Sequence, residues 1–484
     1  MFFGFDAGDV TFGAGAVKEV HPELWGWGTT PSVNTLAIKS AIASAYSGAI
    51  VKFSQSASID DEILIGKNYL TIDLGGITIT QTGVSKMGFR SSGDVTRDHL
   101  IIKKGKIIHT GGGTGAPGIY LVGSPTNIII ENIETENTPH SGIFIGGDQV
   151  GDNIKIIKCR VTNPGDAGIQ VRGNRVWVLD NYVAGSPYNG IDMNVICPIV
   201  KGNHCEGNGT STGTVDTTAR NGIYIGIDDV GGSHDGIVMG NKCLNNGNTT
   251  CPGDGICIDG HRFIVSNNIC RDNKRHGIQT RWSQDIVSTD NNISNNGIQG
   301  SIHYGLLLDG PRSVIKGNNL YSNKDRQIGI KANGIASGNV IIGVAGSSQG
   351  IEVSGDDSII QGNRIDTLDT EGVIVQAGSN RTHIFDNVIL NVTTTPINDL
   401  GTGTVRRGNC LTTGSMQGQA VLVAGTVTVD TTEVLASDNI LLSCVQYGGG
   451  AGAHRVGTIT PGVSFVINSS NAADTGTIFW QIVH

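Results

Sequence analysis

The sequence predicts an all-β protein: a right-handed, single-stranded parallel β-helix with a capping helix at its N-terminal end and a small β-sandwich after it. A glycine-led apolar phrase recurs every 21 to 33 residues through the middle of the chain. A second phrase, flanked by asparagines, falls between its copies. Glycine supplies 72 of 484 residues, about twice the usual ~7% share, whereas aromatic residues make up 5% and charged residues 15%. Such a chain turns often and makes little use of charged helices.

In chain order, residues 1–58 form the capping region. Ser32 to Tyr46 (SVNTLAIKSAIASAY) reads as an amphipathic helix, with apolar runs at Ile50 to Phe53 and Tyr69 to Leu74 after it. A solenoid needs such a cap, because an open terminal coil exposes unpaired strand edges. Met1 to Asp9 carries neither a basic nor an apolar segment, so no signal peptide is expected. No apolar run reaches ~18 residues, so no membrane insertion is expected either.

Residues 59–411 form the β-helix. Gly118, Gly142, Gly168, Gly190, Gly222, Gly255, Gly277, Gly305, Gly329, Gly350 and Gly372 each open a phrase such as Gly142-Ile-Phe-Ile or Gly222-Ile-Tyr-Ile. Alternation of period two means strands, and repeats of this length mean stacked units that cannot bury their faces alone. Parallel crossovers of this kind are right-handed almost without exception. The second phrase, as in Asn203-His-Cys205-Glu-Gly-Asn208 and Asn241-Lys-Cys243-Leu-Asn-Asn246, marks a fixed corner; asparagine tolerates the left-handed backbone of a sharp turn.

Cys205, Cys243 and Cys270 take the slot that Ile293, Leu320 and Ile365 fill in other coils, so they are expected in an interior column. A Cys251–Cys257 bond is the alternative for the two cysteines outside it. With no zinc-like spacing and no cofactor motif, neither metal nor cofactor is read. A net charge of −9 without Lys/Arg clusters argues against nucleic acid.

Residues 412–484 lose the coil phrases and alternate cleanly at Val421 to Val429, Arg455 to Thr460 and Ser464 to Asn471, as a β-sandwich would.

Leu36 to Phe53, running into Ala49-Ile-Val-Lys-Phe and then Ile72-Asp-Leu-Gly-Gly-Ile, resembles the opening of the pectate-lyase-like bacteriophage tailspike proteins. The sandwich resembles the C-terminal domains of phage tail spikes and fibres. That resemblance implies a homotrimer on the virion, joined to other phage tail proteins and acting on a bacterial surface polysaccharide outside the cell.

Outward positions should be the second and fourth residues after each Gly. They gather Gln170, Arg172, Asp192, Asn194, Tyr224, Asp259, Gln279, Arg281 and Asp309. Mixed polar, charged and aromatic groups suit a saccharide groove, where rings stack and hydroxyls take hydrogen bonds. Long spacings before Gly222 and Gly255 place extra loops around these coils, which marks the binding face.

Asp259, Arg281 and Asp309 should share a column, with carboxylates within reach of the ~6.5 to 9.5 Å separation of an inverting glycosidase, or form an exposed ionic ladder. Asp254, His276 and Tyr304 sit in the turns before the strands; His276 or Tyr304 with Arg281 offers the base and cation a uronate lyase needs. Tyr188-Asn-Gly-Ile-Asp192-Met-Asn194 is similar to the Tyr-Gly-x-Asp-Pro-His motif of alginate epimerases but lacks its Pro and His, which leaves Tyr188 and Asp192 as candidates. Asp228 and Asp229 are a further acid/base candidate.

The reading is a polysaccharide depolymerase, hydrolase slightly ahead of lyase. A non-catalytic receptor-binding spike comes next and a cellular lyase or epimerase third.

Overall fold

A computed structural model describes residues 10–13, 16–91, 97–147, 150–212, 220–226, 233–298, 302–344, 349–411, 417–431, 434–436 and 438–483. The chain divides into two compact units, Met1–Gly310 and Pro311–His484. Nearly all of its regular structure is β: a right-handed parallel β-helix, with a small β-sandwich at the C-terminus.

In the first unit the helix α1 (Pro31–Ser44) begins with Pro at its first position, where a missing N–H costs nothing. Ala37, Ile38, Ala41 and Ile42 are buried, and α1 packs on the strand Ala57–Ile59. It stops two residues before the expected Tyr46. Ala45 is already extended, and the Lys67 ammonium takes the carbonyls of Ala43 and Ala45, satisfying acceptors that a longer helix would have used.

The coils then stack in strict register. Ile143, Ile169, Ile191, Ile223, Ile256, Ile278 and Leu306 pair in sequence, one per coil, all essentially inaccessible. These are the residues that follow the phrase glycines. Cys205 pairs with Cys243, Cys243 with Cys270 and Cys270 with Ile293, all fully buried, so the cysteine column is interior. Cys257 is a buried thiol, not half of a disulfide; it shares the register of Tyr224 and Gln279 on the glycine-strand face but is covered there.

The asparagine corners exist for a different reason from the one expected. Asn181, Asn203, Asn241, Asn268 and Asn291 are buried and form a ladder, each side-chain amide reaching the next coil's Asn Oδ1 at 2.9–3.0 Å. A parallel ladder runs through Asn208, Asn246, Asn273 and Asn296. The left-handed residue is the one before each: Asp180, Gly202, Gly240, Asn267 and Asp290. A buried amide that has every partner in the coils above and below fixes the corner without water.

In the second unit, Asn318, Asn339, Asn363, Asn387 and Asn409 continue the same device. Here the glycine phrase misleads. Ile328 pairs with Ile351 and Gly329 with Glu352, so buried Gln327 takes the glycine slot and the phrase at Gly329 is two residues out of step. A slip of two preserves alternation, and alternation was the signal.

The sandwich has two antiparallel sheets of three strands. Gln417–Val421, Thr477–Val483 and Asn439–Gln446 make one; Thr426–Asp430, Ser464–Ser469 and His454–Thr460 make the other. Leu422, Val434, Phe465, Ile467, Ile478 and Trp480 fill the space between them. The run Val421 to Val429 is two strands, not one, because Ala424 and Gly425 turn through positive φ.

Candidate active site

The face formed by the glycine strands carries three adjoining groups of polar side chains, all within the first unit.

The first surrounds Asp192, half-buried in the strand Ile191–Ile196 beside Gln170 of the preceding coil. Asn189 donates to its Oδ2 at 3.0 Å. Burial, and then the nearby Asp166 charge, push its carboxyl up to about 6, against the pull of the Asn189 hydrogen bond and of Arg172. Asp166 itself accepts from His140 Nε2 at 3.0 Å. His140 Nδ1 lies 3.1 Å from the Ser141 hydroxyl, which donates to Gln170 Oε1 at 3.3 Å. A carboxyl that keeps its proton up to about pH 6, well above the ordinary carboxylate range and within the field of a second carboxylate, is the arrangement general acid catalysis requires.

The second group lies one to three coils further on. The Tyr224 hydroxyl donates to Asp259 Oδ2 at 3.0 Å. Arg281 closes on the same carboxylate with Nε at 2.8 Å and Nη2 at 2.6 Å, and its guanidinium lies 5.9 Å from the Tyr224 ring centre. Burial, then the Asp259 charge, hold the Tyr224 phenol protonated far above its ordinary range. Room for this ring comes from Gly226: a Cβ there would stand 2.5 Å from Asn194 Oδ1 and 2.9 Å from the Tyr224 hydroxyl.

Arg281 commits two N–H groups to Asp259, while Asp309 lies exposed beyond the strand Tyr304–Leu308, its own N–H bonded to the Thr280 carbonyl.

The third group is the column of residues that precede the glycines. Asn189 Oδ1 accepts the Asn221 N–H, Asn221 Oδ1 that of Asp254, Asp254 Oδ1 that of His276, and His276 Nδ1 that of Tyr304, at 2.8–2.9 Å. This is a structural ladder, and it changes the reading of two expected catalytic residues. Asp254 is fully buried; burial alone would raise its carboxyl, but Arg275, paired through Nε at 2.7 Å and through Nη2, brings it below the ordinary value. His276 is pushed down to about 3 by burial. Its Nδ1 accepts from Tyr304, so the proton sits on Nε2 and the ring is a donor, not a base. Its plane is tilted 33° to the Tyr304 ring, with centres 5.7 Å apart.

Of the other expected contacts, Gln279 accepts from Arg275 Nη2 at 3.2 Å and Arg172 donates to the Gly147 carbonyl. Tyr188 occupies, one coil on, the place of Asp166, three residues before the paired Ile191 and Ile169. Asp228 and Asp229 lie outside the described residues. Asp166, His140, Ser141 and Asn189 were missed because turn residues carry no periodic signal. What could have found them is offset from the glycine: His140, Asp166 and Tyr188 each stand two residues before it.

Residues 141–305 match the family model of the right-handed β-helix region, and 231–403 that of the periplasmic copper-binding protein NosD. Residues 414–483 match a more telling one. It is the C-terminal domain of K1 capsule-specific polysaccharide lyase. Among solved structures, a double mutant of the E. coli bacteriophage HK620 tailspike in complex with a pentasaccharide is similar at 13% identity and a TM-score of 0.57, covering 98% of this chain and 97% of that one. The Pseudomonas phage phi297 tailspike gp61 is similar at 9% identity and 0.56, over 97% and 99%. An N-terminal fragment of the bacteriophage Phi29 gene product 12 reaches 15% and 0.52, over 81% and 71%. At these identities the likeness is one of fold. No protein with a curated description matches the chain by sequence.

Proposed function

We propose that this chain is a tailspike-type depolymerase that binds and cleaves a bacterial surface polysaccharide, by hydrolysis. The observation that carries this is Asp192, a half-buried carboxyl held up to about 6 on a face that also presents Tyr224, Gln170, Asn194 and the Asp259–Arg281 pair. Asp192 gives its proton to the departing glycosidic oxygen. Asp166, already bonded to His140, is the carboxylate that activates water or meets the developing positive charge on the sugar. Tyr224 and Arg281 bind the neighbouring sugar units through an aromatic face and fixed donors. Asp254 and His276 hold the coils in register and do not enter the reaction.

The protein acts as a homotrimer on the virion tail, at the outside of the host cell. The fold shared over nearly the whole chain with two phage tailspikes supports that placement.

A second reading, eliminative cleavage of a uronate-containing capsule, is favoured by the match of residues 414–483 to the K1 capsule lyase domain. Incubation with a panel of capsules, O-antigens and exopolysaccharides separates the readings. New reducing ends without absorbance near ~235 nm mark a hydrolase. Unsaturated uronate absorbance marks a lyase, with Arg281 as the cation that offsets enolate charge. Tight binding with every polymer left intact would sink both in favour of an adhesin.

A further inference from the structure

Trp282 follows Arg281 directly at the end of the strand Ile278–Arg281 and is the most exposed large apolar side chain among the described residues, at 79%. Its backbone stands at φ 52°, in the left-handed region. A bulky residue rarely adopts that conformation, because its Cβ crowds its own backbone. An indole left in water is unfavourable in its own right. Tyr69, also at positive φ, is covered by stacking on His99, with ring centres 4.6 Å apart. No described ring covers Trp282 in this way, and its exposure is the result.

The coils on both sides are cleared at its level. Asp259 pairs with Arg281, so Gly260 stands beside Trp282 in the coil before. Leu308 pairs with Thr280, so Gly310 stands beside it in the coil after. Neither glycine has room for a side chain. A Cβ on Gly260 would lie 2.3 Å from the Ser233 carbonyl oxygen, and one on Gly310 1.3 Å from that of Ser283. The indole therefore stands at the margin of the glycine-strand face with no side chain at its own level on either neighbouring coil.

Strain and exposure kept together in one residue, beside a cluster of polar groups, mark a place where something binds. We infer that Trp282 is the platform on which one neutral pyranose ring of the polysaccharide lies, next to the sugar held at Tyr224 and Arg281. The inference rests on the reading of the chain as a polysaccharide-binding spike, but not on whether it cleaves.

The surroundings choose the occupant. A protein partner anchored on an aromatic residue needs a ring of close contacts around it that excludes water. Here the chain neighbours are Arg281, Ser283 and Gln284, and exposed Asp309 stands level with Arg281 in the next coil. A sugar ring fits such a place because it is amphipathic: its C–H face covers the indole while its hydroxyls stay with water and the polar groups alongside. The charge of the ring follows from the same groups. Arg281 commits two N–H groups to Asp259, Asp309 adds a carboxylate, and the face of an indole is electron-rich. Nothing in that balance attracts a second carboxylate, so the unit is neutral.

The test is binding of the full chain to the same panel of capsules, O-antigens and exopolysaccharides, for the parent and for Trp282→Ala, Trp282→Phe and Trp282→Gly. Tyr447→Ala is the control, since Tyr447 is 74% exposed at the edge of the C-terminal sandwich. On the polymer that the parent binds best, Trp282→Ala should lose about tenfold in affinity, the scale of one well-made contact. Trp282→Phe should recover part of that loss, and the control should match the parent. Trp282→Gly, which suits the left-handed backbone, should bind as weakly as the Ala variant and melt no lower than the parent. A tryptophan kept for structure alone would not give that combination. Reducing the carboxylates of an acidic polymer to alcohols should leave the Trp282→Ala loss unchanged. Parent-like binding by Trp282→Ala overturns the inference and leaves the depolymerase standing. Binding by the parent without cleavage, weakened in Trp282→Ala, sinks the depolymerase and supports the inference. A loss that disappears on carboxyl reduction overturns the neutral ring, and a parent that binds no polymer overturns both readings.

Discussion

Tyr224 and Asp259 stand in adjacent strands of the glycine-strand face and are joined by a hydrogen bond of 3.0 Å that reaches over Gly226. The contact depends on the absence of a side chain at position 226, because a methyl group there overlaps both the Tyr224 ring edge and Asn194 Oδ1. Gly226→Ala should therefore displace the ring while leaving the buried isoleucines of the coil untouched. The expected outcome is a loss of polysaccharide affinity of about tenfold or more, the scale of one well-made contact, with a melting temperature close to the parent's. Binding to immobilised polysaccharide, read beside thermal unfolding, checks both halves.

Asp192 should set the pH dependence of cleavage. A general acid must be protonated, and this one has its carboxyl held up to about 6 by burial and by Asp166. Turnover should be flat below that value and fall about tenfold per pH unit above it. Asp192→Asn should lower turnover by ~10²-fold or more and remove the limb. The same shift has a consequence for stability. A folded-state value above the unfolded 3.8 means the folded chain holds this proton more tightly, so its contribution is whole below pH 3.8 and is lost as pH rises through about 6. The Asn variant should thus melt near the parent at pH 4 and above it at pH 7.5. A variant equally stable relative to the parent at both pH values would contradict the burial of Asp192.

How much of this was legible in the residues follows from what repeats. Ile223–Gly226, Ile256–His261 and Ile278–Arg281 are strands with Tyr224, Asp259 and Arg281 on one outward face, and alternation of period two suffices to place them. Asp166 and His140 lie in turns, where spacing from the glycine carries the information and hydropathy carries none. The tautomer of His276 depends on a backbone N–H 28 residues away, a relation only the stacking of coils creates. Gln327 escaped because a two-residue slip leaves the alternation intact.

His276 separates a structural from a catalytic role. Its ring accepts the Tyr304 N–H, the service that Asn189 and Asn221 perform two coils and one coil before Asp254 does it. His276→Asn keeps an acceptor in place and should retain cleavage within a few-fold. His276→Ala strands a buried N–H and should cost about 1–3 kcal/mol of stability. With its value pushed from 6.5 down to about 3, the neutral imidazole stabilises the fold fully above pH 6.5, and that contribution is lost as pH falls toward 3. The Asn variant should resist mild acid better than the parent. Complete loss of cleavage in a stably folded Asn variant would return His276 to the reaction.

Asn268 offers the sharpest test of what holds the coils together. Its Oδ1 accepts from both the backbone N–H and the side-chain amide of Asn241, at 3.0 Å each, and its own amide reaches the Val238 carbonyl and Asn291 Oδ1. Replacing it with leucine, an apolar residue of similar size, deletes four bonds at once and leaves two donors of Asn241 and a carbonyl of the coil above without partners in a site that excludes water. The cost should be on the order of 3–5 kcal/mol, well beyond the cost of Cys243→Val in the adjacent column, which exchanges one small buried hydrophobe for another and should lose less than ~1.5 kcal/mol. Denaturant unfolding of the two variants decides whether amide pairing or apolar contact dominates the corner. Equal midpoints would mean the ladder is incidental to stability and the interior isoleucines carry the fold alone.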